Sequence, residues 1–267
     1  MTWGTANANA SDATASHGPV ALPGAHLGSV LAVLRGRAVP YTRPGTRSAI
    51  AKTPVCGPVH VGLLGLDGDE QGDPRVHGGP DKAVHQYAQE HCADWRAELG
   101  ALPVLAAPGA FGENMASTGM TEHSVCLGDQ VRVGGSGSDG IHSSSGGVLL
   151  EVSQGRQPCW KLNDRFGVPA MARRVQDSGR TGWYYRVLQP GSVQAGDALV
   201  LVARPLPQWP LARIIAVLYH QPFDAAVLQA LAALPLTPSW QRLVQGRLAR
   251  GAAEDWQARL DGPPPQG

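Results

Sequence analysis

In the stretch SQGRQPCWKLN, residues 153–163, Cys159 follows a proline, with Arg156 before it and Lys161 after it. The thiolate form of cysteine attacks carbon or binds metal, and nearby positive charge favours that form. From residue 151 to residue 186 the chain carries seven basic residues against three acidic ones. An anionic ligand, such as one bearing a phosphate, suits that surplus. Arg156, Lys161 and Arg180 are the candidate anion contacts, and Arg180 sits on a turn of small residues where a guanidinium can fork an anion. The plainer reading of Cys159 is a small apolar filler, because free cysteines are often buried and inert.

A second constellation is GLDGDEQGDPRVHGGPDKAVHQY, residues 65–87. Carboxylates and histidines on a glycine-rich loop can bind metal, move protons or hold a polar ligand. Asp73 and His77 are the candidate proton donors or substrate-orienting groups, and His85 is a candidate positioning group. Asp67 and Asp69, either side of Gly68, read as turn-capping carboxylates. His91 and Cys92 read as packing residues. A zinc hydrolase built on Asp73, His77, His85 and Cys159 is a rival, but the His-x7-His spacing does not put both imidazoles on one turn of one helix.

FGEN, residues 111–114, bends sharply at Gly112, and Asn114 can both donate and accept hydrogen bonds to orient a ligand or satisfy its own turn. Lys52, near Pro54, is a further cofactor-contact candidate, although a lone lysine more commonly reads as a solvated charge. Cys126 alternates with apolar neighbours and reads as core. Of Trp183, Tyr184 and Tyr185, any could wall a pocket, but aromatics in a strand more often pack inward.

Short apolar runs bounded by Gly or Pro predict strands over residues 28–35, 48–55, 59–66, 124–127, 130–133, 148–153 and 198–202. Apolar spacing through Val84, Tyr87, His91, Trp95 and Leu99 predicts a helix over 83–99, and another is expected over 169–177. The Gly/Ser-rich segment 134–147 reads as a flexible hairpin insertion. Many short strands with two inserted helices predict a mainly β, barrel-like domain over 25–204. Beyond it, WPLARIIAVLYH, DAAVLQALAAL and TPSWQRLVQGRLARG read as a small three-helix domain over 205–260. Asp224 and Thr237 stand at N-cap positions and Pro238 at a first helical position. A helical unit this small should pack on the barrel or on a partner. Residues 1–24 read as a disordered leader and 261–267 as a disordered tail.

The formal net charge is +1, so no general attraction to nucleic acid is expected. No apolar run reaches the length of a membrane span, and the N-terminus lacks a basic start followed by an apolar run. The four cysteines form no CxxC pair, which argues against a zinc knuckle or a disulfide framework and points to a reducing cytoplasm.

In their order along the chain, GLDGDEQGDPRVHGGPDKAVHQY, FGEN, SVCLGD and QGRQPCWKLN with RTGWYYRV resemble the MOSC domain family, most closely its YiiM-like branch. The resemblance implies a β-barrel that binds the molybdenum cofactor, with Cys159 supplying the protein thiolate to molybdenum; pyridoxal phosphate binding is a further family property. It implies reduction of N-hydroxylated compounds, such as hydroxylaminopurines, amidoximes and hydroxamic acids. The expected partners are that small-molecule substrate, a separate flavin or iron–sulfur electron-donor protein, and a second copy of the chain as a homodimer. The rival within this resemblance is a non-catalytic carrier of the cofactor or of a sulfur species.

Overall fold

The computed structural model describes residues 21–72, 78–135 and 147–263. Seven strands close into a barrel. They are β1 (His26–Arg35), β2 (Val84–Ala88), β3 (Met115–Thr118), β4 (Gln130–Val133), β5 (Val148–Gly155), β6 (Trp183–Gln189) and β7 (Ala198–Ala203). Around the barrel the order is β1, β3, β2, β6, β5, β4, β7, and β7 pairs back to β1. Every neighbouring pair is antiparallel except β2 with β3. A parallel pair needs a crossover, and here α1 (His91–Leu99) lies in the connection.

The expected helix over 83–99 is therefore half strand and half helix. Residues 84–88 are buried throughout. Strand alternation sends Val84 into the barrel core and Tyr87 into a second apolar layer with Trp95, Phe111, Leu162 and Phe166. A strand covered on both faces loses the polar alternation that would reveal it. The expected strand over 48–55 is two short pieces, Arg47–Ser48 and Thr53–Pro54, separated by a kink in which the Lys52 amide bonds the Ile50 carbonyl at 3.0 Å. Residues 59–66 fold as a hairpin, Val59–Gly62 against Gly65–Leu66, and not as one strand. Residues 124–127 contribute only an isolated bridge from Cys126 to Pro210. Two helices follow β5, α2 (Lys161–Phe166) and α3 (Met171–Ser178), of which α2 was not anticipated.

Beyond the barrel lie α4 (Leu211–Tyr219), α5 (Ala225–Ala232), α6 (Pro238–Arg250) and a short α7 (Gln257–Asp261). Asp224 caps α5 by accepting from the amides of Ala226 and Val227, and Thr237 caps α6 by accepting from that of Trp240. The helices have no core of their own. Ile214, Ile215, Leu228, Leu231, Trp240 and Val244 belong to the same buried cluster as the barrel residues Val131, Leu150 and Tyr185. Thr237 and Ser239 also hydrogen-bond the Gln154 amide oxygen of β5, at 2.6 and 2.9 Å. The disordered-tail expectation is corrected for residues 261–263: the Asp261 and Pro263 carbonyls both accept from Arg43. The expected leader (1–20 of it), the core of the Gly/Ser insertion (136–146), the rest of the tail (264–267), and Asp73 and His77 lie outside the described residues. Among the described residues, no helix is long and apolar enough to cross a membrane.

Candidate functional site

Stretches far apart in sequence meet at one open cleft, whose empty volume with open solvent included is ≈ 580 Å³. One wall comes from residues 48–52 and 69–72, a second from His85 on β2 with the turn at residues 111–114, and a third from the loop after β5 with Tyr184 on β6. Gly112 makes the second wall feasible. Its φ is +74°, and a Cβ there would lie 2.8 Å from Ile50 Cγ1, so only glycine allows the two walls to approach.

Cys159 lines the cleft and is partly exposed. Its loop leaves β5 through Arg156, whose amide bonds the Gly182 carbonyl at 2.9 Å, and turns into α2 where the Leu162 amide bonds the Cys159 carbonyl at 3.0 Å. The other cysteines do not compete for its role. Burial pushes the Cys92 and Cys126 thiols up to about 11, and exposed Cys56 is not part of the cleft lining.

Arg156 is 7% exposed and its Nη1 has no hydrogen-bond partner among the described residues. A buried guanidinium nitrogen left unpaired is costly unless something else meets it. Lys161, also buried, donates to the Arg47 carbonyl at 2.7 Å. Lys82 lies 6.0 Å from the centroid of the Tyr184 ring, and burial lowers its pKa against the pull of Asp81. The cleft lining thus sets four basic side chains, Lys52, Lys82, Arg156 and Lys161, against two carboxylates, Asp69 and Glu70.

His85 is held by its neighbours and not by solvent. The Asn114 Oδ1 accepts from its amide at 3.1 Å, and its ring packs at 5.0 Å from that of Tyr184, its register partner on β6. Burial first, and then the charge of Arg156, holds its pKa well below 6.5, so the ring is neutral at pH 7. Among the described residues, Nε2 makes no hydrogen bond of normal geometry. An unfolded chain carries the ordinary value, so as the pH falls the unfolded state takes the proton first. The stability that depends on neutral His85 is complete above 6.5 and is lost as the pH drops below it. Urea unfolding between pH 7 and 5 is expected to lose up to about 1.4 kcal/mol per pH unit from this group. His85→Gln should flatten that part of the curve, and parallel curves for the two proteins would refute the assignment.

Asn114 uses both of its Nδ2 hydrogens on the protein. It donates to the Leu34 carbonyl at 3.3 Å and to Asp69 Oδ2 at 2.8 Å. These bonds set the wall, and Oδ1 keeps a second lone pair beside the one that takes the His85 amide. Glu113 is likewise structural: its buried carboxylate accepts from the amides of Gly109 and Phe111 at 2.6 and 3.0 Å.

The scan against family models matches the MOSC domain over residues 73–200 and the YiiM-like, 3-alpha helix domain over 209–251. Among curated proteins, Protein YiiM of Escherichia coli is 39% identical over 219 residues, covering 82% of this chain and 92% of that protein. The chain belongs to the MOSC family, in its YiiM-like branch. A protein named Reductase from Gibberella moniliformis is 38% identical over 201 residues, but the match spans only 34% of its length. The crystal structure of YiiM from Escherichia coli superposes with a TM-score of 0.69 at 32% identity, covering 87% of this chain and 98% of that one. YiiM from Geobacillus stearothermophilus gives 0.67 at 33% identity, covering 83% and 99%.

MOSC domains are known for binding the molybdenum cofactor, and the residues present fit that group. Among the described residues, no three His, Cys, Asp or Glu side chains gather as a metal cage. A metal centre that takes only the Cys159 thiolate from these residues would bring its other ligands with it, and a soft sulfur donor suits such a centre. The unpaired Arg156 Nη1 suits the anionic end of an organic chelate.

Of the expected site residues, the structure brings Cys159, Arg156, Lys161, His85, Asn114 and Lys52 to one cleft. Arg180 is a correction. Its guanidinium stacks 3.7 Å over the Trp95 ring and pairs with Glu98 at 2.5 Å and Asp94 at 3.7 Å, all on α1 and away from the cleft lining. Lys52 is no solvated charge, since it is buried and paired with Asp69. Asp69, read from the sequence as a turn carboxylate, lines the cleft, and of the three aromatic candidates for a pocket wall Tyr184 does so while Trp183 and Tyr185 do not. Tyr184 could have been found by alternation, because Trp183 and Tyr185 are both fully buried and the residue between them must face the other way.

Proposed function

We propose that this protein is a molybdenum cofactor-dependent reductase of N-hydroxylated compounds, supplied with electrons by a separate flavin or iron–sulfur protein in a reducing cytoplasm. The observation that carries the reading is a partly exposed thiol in a cleft lined by Arg156, Lys161 and Lys82. Family membership and the Gibberella relative's name, Reductase, support the redox class. The net reaction takes an N–OH compound, two electrons and two protons to an amine and water. When bound, the cofactor supplies the two-electron chemistry at the N–O bond.

The chain's own residues would act around it. Cys159 is the protein ligand to molybdenum. Arg156, Lys82 and Lys161 meet the anionic end of the cofactor. Asn114 and neutral His85 hold the wall against which the substrate lies. Burial pushes the Tyr184 phenol up, with the Arg156 charge opposing, so it stays protonated. His77 or Asp73 delivers the proton; both follow Gly72, which lines the cleft.

The test is to produce the protein in a host that makes the cofactor and to measure bound molybdenum. Turnover of a hydroxylaminopurine with an artificial electron donor is measured alongside. Stoichiometric metal with turnover is the expected result. Metal without turnover on any N-hydroxylated substrate would convert the reading to a carrier, and absence of both would overturn it.

A further inference from the structure

We infer that residues 256–263 form a strap that sets the position of Cys159, with Arg259 as its positioning residue. This segment lies beyond both regions matched by family models, which end at residues 200 and 251. Arg259 grips the chain on either side of the thiol. Its Nη1 donates to the carbonyl of Pro158, and its own carbonyl accepts from the amide of Trp160 at 2.9 Å. Its Nη2 donates to Gln176 of α3, which makes the guanidinium a fixed bridge and not a dangling contact.

The rest of the strap is anchored independently. Leu260 is fully buried among Leu162, Phe166, Met171 and Val175, and its carbonyl accepts from Asn163 at 2.9 Å. Arg43 donates to the Asp261 carbonyl at 2.7 Å while stacking 4.2 Å over the Trp160 ring. Gly262 has a φ of +69°, and a Cβ there would sit 2.4 Å from Trp160 Cγ. The strap therefore seats directly on the residue that follows the cysteine. Because both neighbours of Cys159 are tied to one residue, the direction in which the sulfur points depends on that residue.

The inference builds on Cys159 as the working thiol, but its test does not need the cofactor. In metal-free protein carrying Cys56→Ser, Cys159 is labelled with N-ethylmaleimide at one fixed pH, and exchange of the Trp160 amide is followed. Arg259→Ala is expected to speed that exchange by about tenfold and to change labelling by about fivefold. Arg259→Lys, which keeps a donor for Pro158, should recover most of both. In the loaded enzyme Arg259→Ala should lower kcat by about 10–100-fold with KM little changed, because the clamp orients the metal ligand and not the substrate. Should Arg259→Ala fail to fold, Gly262→Ala dislodges the strap without touching the guanidinium and is expected to give the same labelling and exchange changes. Unchanged exchange and labelling in either folded variant overturns the inference. So does a loss in Arg259→Ala that lysine does not rescue and that tracks global unfolding. If Cys159→Ser keeps its molybdenum while these variants still free the loop, the functional reading fails and the strap stands.

Discussion

Cys159→Ser is expected to abolish stable molybdenum binding and to lower N-reduction by more than about 100-fold, since losing a ligand should exceed the 10–100-fold effect typical of its supporting residues. The folded protein should be nearly unaffected. Cys159 is partly exposed on a loop, and such substitutions usually stay within about 0.5 kcal/mol. Serine keeps the size and loses the chemistry: its hydroxyl does not ionise near neutral pH, and oxygen is a harder donor than sulfur. Metal analysis, turnover and thermal melting on the same preparation separate these effects. Cys56→Ser, at an exposed position outside the cleft lining, is the matched control and should leave metal and turnover unchanged. A Cys159→Ser protein that retains both metal and activity would remove the ligand assignment and leave the cleft without a redox role.

How much of this could be read from residues alone depended on whether the signal was local. The Cys159 loop was legible because a thiol, a proline and two cations lie within six residues. The caps of α5 and α6 were legible because capping is a property of three or four consecutive residues. Strand β2 was not. Its residues bury both faces, one in the barrel and one under α1 to α3, and the apolar spacing that results matches a helix as well as a strand. The parallel pairing of β2 with β3 settles the matter, and that pairing is a tertiary fact.

The site shows the same division. Arg180 had the right chemistry and the wrong neighbours: the Trp95 ring and the carboxylates that claim it come from α1, with Glu98 82 residues away. Asp69 had local features of a turn carboxylate, and it does accept from a loop amide, that of Gly36 at 2.8 Å. Its more consequential partners, Lys52 and Asn114, are 17 and 45 residues distant. Nothing periodic in the chain announces such a convergence.

That convergence makes Asp69→Ala the largest stability effect expected outside the barrel core. The side chains of Asp69 and Lys52 are each 7% exposed. Removing the carboxylate leaves a buried ammonium without its counter-charge, and breaking a buried pair this way costs about 3–5 kcal/mol. In a chain of this size that corresponds to a fall in melting temperature of roughly 10 °C. Burial already lowers the Lys52 pKa, and Asp69 is the main opposing influence. Without it the lysine in the folded variant sheds its proton more readily than the same lysine unfolded. The unfolded state then binds more protons, so the variant's deficit should shrink as the pH rises toward 10.5, the ordinary lysine value. Replacing both partners, Asp69→Ala with Lys52→Met, removes the stranded charge and should recover more than half of the loss. Asn114 would still lose its Oδ2 acceptor and with it part of the constraint on the His85 amide. The double variant is therefore expected to be stable and yet impaired in binding the cofactor. Urea unfolding of the four proteins in the cycle measures the coupling. An Asp69→Ala protein within 1 kcal/mol of the parent at pH 7 would show that the pair is not the keystone of this wall.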